Sequence, residues 1–265
     1  MSDQDREHAA PEYTLLAPLY DTLMHDVDYE LWADFIDGII QDYCPDASDL
    51  LELACGTGSV ALLLDELECY RILATDQSSE MVSKARAKRT GMEYDITFQQ
   101  MDATRFDLNK RFDVIYMLFD SINYLKKRED ILKLHSEAQK HLNPGGLFIY
   151  DFTTPKHSRE AATALKFTSG SIPEGASFTR HSTYDAATSI HTNCFEIRFP
   201  RKVGQKTPEC HVEVHHQKAY TLRQMRTLTE ETDFQILEAL DGFTTGAAGA
   251  NSLRITFVLQ CPKTQ

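Results

Sequence analysis

Basic residues are in short supply here, and the shortage closes off a class of function. The 265 residues carry 27 Lys and Arg against 40 Asp and Glu, a net charge of −13 and a pI near 5.2. Nucleic-acid binders carry a basic footprint, so no DNA or RNA partner is expected. The clusters Lys84–Arg89 and Lys126–Arg128 read as solvated helix faces. The six cysteines form no CxxC pair and no metal-ligand spacing. No metal site is expected, and the cysteines read as buried thiols in a reducing, cytoplasmic compartment. No apolar run approaches the ~20 residues of a membrane helix. The charged start Met-Ser-Asp-Gln-Asp-Arg-Glu-His is not a signal segment. What remains is a 30.1 kDa chain of ordinary globular composition, enough for one large domain or a core domain with a small appended one.

Residues 1–10 read as a frayed end. From Pro11 to Tyr43 the apolar spacing is helical, with Asp28 as the N-cap of a second helix that Cys44-Pro45 ends. Strands are predicted at Leu50–Leu53, Tyr70–Thr75, Ile96–Gln100, Phe112–Met117 and Leu147–Phe152. Helices are predicted after the first strand, from Ser78 or Ser79 to about Lys88, and over Arg128–His141. This alternation indicates a parallel sheet with helices on both faces. From Lys166 to Tyr220 the pattern turns β-rich. Ala176–Tyr184, Ile190–Phe199 and Cys210–Tyr220 read as a three-stranded antiparallel insertion, the last two joined through Lys202–Pro208. A helix at Thr221–Thr232 and strands at Phe234–Leu240 and Arg254–Gln260 close the chain.

The expected fold is α/β, a Rossmann-like, mostly parallel seven-stranded sheet with an antiparallel last strand. By this reading residues 1–44 would form a helical lid, 45–165 and 221–265 the sheet domain, and 166–220 an inserted β cap.

The centre of this plan is Leu50–Leu64, a buried strand running into a glycine turn that opens a helix. Gly56-Thr-Gly58-Ser-Val-Ala61, with Asp76 twenty residues beyond Gly56, fits the dinucleotide fingerprint. Such a turn presents free backbone N–H groups to a ligand. An NAD-dependent oxidoreductase is therefore one reading, and a non-catalytic binding module another. Glu52 argues against NAD, because a carboxylate on the strand feeding the turn repels a pyrophosphate but suits a cofactor bearing an ammonium and a sulfonium. Asp102-Ala103 after the third strand suits an adenine edge, and the antiparallel last strand differs from an all-parallel dinucleotide domain.

Glu52-Leu-Ala-Cys-Gly56-Thr-Gly58, Asp76, Asp102-Ala103, Phe119-Asp120-Ser121 and Pro144-Gly145-Gly146 resemble the successive motifs of class I S-adenosylmethionine-dependent methyltransferases. Leu19-Tyr20-Asp21, Asp28–Trp32 and Asp120–Leu125 are similar to a bacterial small-molecule subgroup akin to the sugar-amine N-methyltransferases, as are His216–Tyr220, Asp241–Phe243 and Ser252–Arg254. The resemblance implies methyl transfer to nitrogen or oxygen of a small-molecule acceptor. It implies that Glu52, Ala54, Gly56, Thr57 and Gly58 surround the methionine moiety, and that Asp76 takes the ribose hydroxyls. Gln77 and Met81 would flank the adenine, with Asp102 and Ala103 at its edge and Leu118 and Phe119 at the end of the fourth strand. Tyr13 and Tyr20 would close over the cofactor and Trp32 pack at the same end. Tyr124 would orient the acceptor. By residue type His216 is the candidate base; strand alternation puts His215 on the opposite face. Arg254 either binds an anionic acceptor group or pairs with a surface acid.

Overall fold

The computed structural model describes residues 11–89, 95–171, 175–200 and 209–263. The expected frayed end at 1–10 and the connection at 202–208 lie outside them. The described strands are β1 (Asp49–Leu53), β2 (Arg71–Asp76), β3 (Ile96–Gln100), β4 (Phe112–Met117), β5 (Leu142–Thr153), β6 (Thr168–Ser171), β7 (Ser177–Asp185), β8 (Ile190–Arg198), β9 (Cys210–Lys218), β10 (Gln235–Asp241) and β11 (Arg254–Gln260). Seven form one sheet in the order β10-β11-β5-β4-β1-β2-β3. Neighbours from β5 to β3 pair in parallel, while β11 runs antiparallel between β5 and β10. The central strands are apolar because helices cover both faces. Leu50, Leu51, Leu53, Val114, Ile115, Tyr116, Phe148 and Ile149 are wholly buried. The strand order reverses between β1 and β4, and the crevice beyond their carboxyl ends is where such sheets hold ligands.

The helices are α1 (Tyr20–Leu23), α2 (Tyr29–Tyr43), α3 (Ser59–Asp65), α4 (Ser79–Lys88), α5 (Arg128–His141), α6 (Pro155–Ala164) and α7 (Leu222–Glu230). Asp28 caps α2, its side chain accepting from the Leu31 N–H at 3.0 Å. Ser78 caps α4, and Thr221 with Gln224 forms a capping box on α7.

Three expectations need correction. The helical spacing from Pro11 does not yield a first helix of that length: turns lead to a short 3₁₀ segment at Ala17–Leu19 and the single turn of α1. The N–H groups of Tyr13, Leu15 and Leu16 are held by the carboxylate of Glu213 instead of by helix carbonyls. Second, α6 was not expected, although Thr154 caps it and Pro155 supplies a first-turn proline. Third, the cap sheet has four strands, in the order β6-β7-β8-β9, because the short β6 adds to the edge of β7. This second sheet is seated on the N-terminal segment through Leu16 and Leu19, which pack with Ala176 and Ile197.

Candidate active site

The glycine turn is built by backbone conformations that most side chains resist. Ala54, Gly56 and Gly58 all have positive φ, at 56°, 55° and 76°. Gly58 caps α3, and a Cβ there would lie 2.6 Å from the Phe98 ring, so only glycine fits. Gly58 thus shapes the turn from behind, whereas Glu52, Ala54, Gly56 and Thr57 line a cavity of about 790 Å³. Asp76, at the end of β2, spans the turn and α4. Its Oδ2 accepts from the Gly56 N–H at 2.9 Å and its Oδ1 from the Ser78 N–H at 2.8 Å. Burial raises its pKa, and those two donors work against the rise.

Gln77, Met81, Asp102, Ala103, Leu118 and Phe119 line the same cavity from the β2, β3 and β4 ends. Asp102 is fixed by Thr104, whose N–H and hydroxyl both donate to Oδ1, at 2.8 and 2.7 Å. Tyr13, Tyr20 and Tyr124 line it from the lid side and the β4 loop. The phenols of Tyr13 and Tyr124 are hydrogen-bonded at 2.7 Å. Burial pushes both phenols well up, so they stay protonated. The N-terminal segment is tied to the turn: Thr57 Oγ1 donates to Asp21 at 2.6 Å, and Lys88 Nζ donates to the same carboxylate and to Thr57, each at 2.8 Å.

Trp32 lies outside the residues that line this cavity and stands one layer back. It stacks on Phe119 at 3.9 Å and 12° and meets Phe243 at 3.6 Å, because Phe119 takes the wall position. Arg254 is likewise not on the wall. It is held in the fold by Asp120, at 2.6 Å, and by Asp151, which is wholly buried, so it pairs with interior acids.

His216 points to the other face of β9, where its Nδ1 lies 3.1 Å from Thr192 Oγ1. The neighbour, His215, faces inward. Its Nδ1 is 2.9 Å from the Tyr124 phenol and its Nε2 is 2.8 Å from Glu213 Oε1. His215 and Glu213 are the residues that reading the sequence missed. The period-2 alternation of β9 placed the two histidines on opposite faces, but only the packing of the cap decides which face is inside. Among the described residues no group of three or more His, Cys, Asp or Glu is placed to hold a metal ion, and no helix is long and apolar enough to cross a membrane.

The donor set of the cavity fits a cation better than a pyrophosphate. Glu52 is 3% exposed and its Oε2 has no hydrogen-bond partner; burial pushes its pKa well up, the neighbouring Tyr116 phenol working against the rise and the Asp76 charge adding to it. A buried carboxyl left unpaired is costly, and a ligand ammonium would offset that cost.

Comparison with known proteins finds methyltransferases. Residues 50–146 match the family described as Methyltransferase domain. A protein of Geobacillus sp. (strain WCH70), provisionally named a methyltransferase, is 27% identical over 257 residues, covering 93% of this chain and 98% of that one. The dTDP-3-amino-3,4,6-trideoxy-alpha-D-glucopyranose N,N-dimethyltransferase of Streptomyces venezuelae is 30% identical over 124 residues, 47% of this chain and 50% of that one. The crystal structure of a S-adenosylmethionine-dependent methyltransferase from Clostridium acetobutylicum ATCC 824 has the same fold, with a TM-score of 0.76 and 24% identity over 94% of this chain and 99% of that one.

Proposed function

We propose that this chain is a class I S-adenosylmethionine-dependent methyltransferase and that its acceptor is a small-molecule amine enclosed under the cap. The observation that carries this reading is the Tyr13–Tyr124 phenol pair, which shares one cavity with the glycine turn and Asp76. A phenol oxygen there accepts from the N–H of a neutral amine and leaves the nitrogen lone pair free to point at the methyl carbon. The Streptomyces relative, whose name assigns it an amino-sugar acceptor, supports nitrogen over oxygen.

S-adenosylmethionine supplies an electrophilic methyl group on a sulfonium that departs as a neutral thioether. The protein's part is to bind, align and exclude water. In this reading Glu52 holds the ammonium, residues 54–57 of the turn and Tyr20 surround the methionine end, and Asp76 takes the ribose hydroxyls. Gln77 and Met81 flank the adenine, with Asp102 and Ala103 at its edge. Leu118 and Phe119 form an apolar wall beside the reacting carbon. Residues 166–220 act as the acceptor-side cap over the 45–165 and 221–265 unit. A net charge of −13 supports a small acceptor over a nucleic acid. All six cysteines are free thiols, which fits a reducing cytoplasm.

Two measurements test the reading. Calorimetry should give S-adenosylhomocysteine binding at micromolar or tighter Kd and no NAD binding in the same range. Mass spectrometry of a panel of small amines, amino sugars included, should show a gain of one or two methyl groups on at least one member. NAD binding in place of S-adenosylhomocysteine would sink the cofactor assignment. Methylation confined to hydroxyls would sink the choice of nitrogen.

A further inference from the structure

Glu213 lies in the cap, far in sequence from every motif of the cofactor site, and is wholly buried. Its carboxylate accepts four hydrogen bonds. Oε1 takes the Tyr13 N–H at 2.7 Å and the His215 Nε2–H at 2.8 Å; Oε2 takes the N–H groups of Leu15 at 2.7 Å and Leu16 at 3.2 Å. A carboxylate only accepts, so Nε2 of His215 carries its proton and Nδ1 is the acceptor for the Tyr124 phenol. Tyr124 in turn meets the Tyr13 phenol, and Tyr13 returns through its own backbone to Glu213. The result is a closed ring of hydrogen bonds through the lid, the β4 loop and the cap.

Tyr13 sits in this ring at a φ of 60°, a conformation that costs a non-glycine residue energy and persists only where its surroundings enforce it. The groups that titrate or carry charge facing His215 are Glu213 from its own strand, Tyr13 from the lid and Tyr124 from the β4 loop. Phe195 of β8 closes the remaining side, its ring centroid 5.6 Å from the imidazole, and the Arg180 guanidinium of β7 stands over that ring at 5.5 Å.

We propose that Glu213 is a positioning residue that makes the closed lid and the proton acceptor one assembly: the carboxylate that pins the lid backbone also orients His215, which takes the acceptor's proton through Tyr124. The inference rests on the reading of this cavity as the methyl-transfer site. In the step, the acceptor nitrogen forms its bond to the methyl carbon as the carbon–sulfur bond breaks, its electron pair staying on sulfur. The nitrogen's proton passes to the Tyr124 oxygen, the Tyr124 proton passes to His215 Nδ1, and the imidazolium is held by Glu213. Opening the lid removes three of the four donors to Glu213, so the base is assembled only when the lid is shut.

The lid half of the test needs no acceptor. In the S-adenosylhomocysteine complex the amides of Tyr13, Leu15 and Leu16 should exchange slowly with deuterium. Glu213→Gln should speed their exchange and the release of S-adenosylhomocysteine at least ~10-fold, while His215→Gln leaves both within ~3-fold. Nitrogen-15 NMR of the unaltered protein should show His215 as the Nε2–H tautomer, a measurement that stands even where a variant fails to fold. With an amine from the panel, His215→Gln should lower kcat ~10²- to 10⁴-fold, with a deficit that shrinks as pH rises and is partly rescued by added imidazole. An Nδ1–H tautomer, or a His215→Gln enzyme with the parent's kcat and pH profile, overturns the proton path. Unchanged exchange in Glu213→Gln overturns the tie to the lid. Failure of the unaltered protein to bind S-adenosylhomocysteine is a different result, and removes the cofactor reading instead.

Discussion

Replacing Glu52 by Gln should move stability and cofactor affinity in opposite directions. The side chain is 3% exposed, one oxygen lacks a partner, and burial holds its pKa well above the usual 4.5. An acid that binds its proton more tightly folded than unfolded destabilises the fold as pH rises above the unfolded value, until the folded value is passed. Glutamine removes that ionisation, so the free Glu52→Gln protein should melt higher than the parent at pH 7. Binding runs the other way. An ammonium pairs with the carboxylate, a charge-assisted contact of about 1.5–3 kcal/mol, so S-adenosylhomocysteine should bind roughly 10- to 150-fold more weakly to the variant. The pairing also requires the carboxyl to give up its proton. Calorimetry in two buffers of different ionisation heat should therefore show proton release on binding by the parent and none by Glu52→Gln. Parent affinity should climb with pH through the carboxyl's range and then level off, while the variant stays flat across that range. Equal affinities with equal proton counts would refute the ammonium assignment.

Asp76→Asn should weaken S-adenosylhomocysteine binding by roughly 1.5–3 kcal/mol, the worth of a charge-assisted hydrogen bond, as read by calorimetry. Asparagine suits this test better than alanine, because Asp76 also holds the Gly56 and Ser78 N–H groups; unchanged affinity would remove it from the ribose contact. Gly58→Ala should lower stability by about 2–4 kcal/mol in urea titration, from a strained φ and a Cβ driven into Phe98. A loss under about 0.5 kcal/mol would mean that Phe98 moves aside freely. His135 is wholly buried among Phe148, Tyr150 and Phe234 with neither ring nitrogen partnered, and burial lowers its pKa from 6.5 to about 3. A histidine held neutral in the fold takes up its proton only on unfolding, so the protein should lose stability as pH falls below 6.5, by about 2 kcal/mol at pH 5 from this residue. His135→Leu should abolish that share of the acid sensitivity, and identical stability–pH curves for the two proteins would contradict it.

Much of the cofactor side was legible because each of its parts is a local signal. A buried strand, two glycines one residue apart and a carboxylate at the end of the next strand are readable from spacing alone, and Asp76, Asp102, Leu118 and Phe119 line one cavity together with that turn. The lid was misread for a physical reason. Apolar spacing from Pro11 onward is compatible with a helix, but the backbone N–H groups there are claimed by a carboxylate 197 to 200 residues away. Local pattern carries no information about such a distant acceptor. Thr154-Pro155 was a readable helix start that was passed over.

The sequence by itself determined the sheet, the glycine turn and the charge pattern that selects a sulfonium cofactor, since strand alternation and turn chemistry act over a few residues. Only the tertiary structure decided that Trp32 backs Phe119, that Arg254 pairs with Asp120 and Asp151, and that His215 faces Tyr124 while His216 turns away. Adjacent strand residues point to opposite faces, and which face is buried depends on the segments the strand packs against. For β9 those are the 13–16 segment and the loop carrying Tyr124, both more than 80 residues away in the chain.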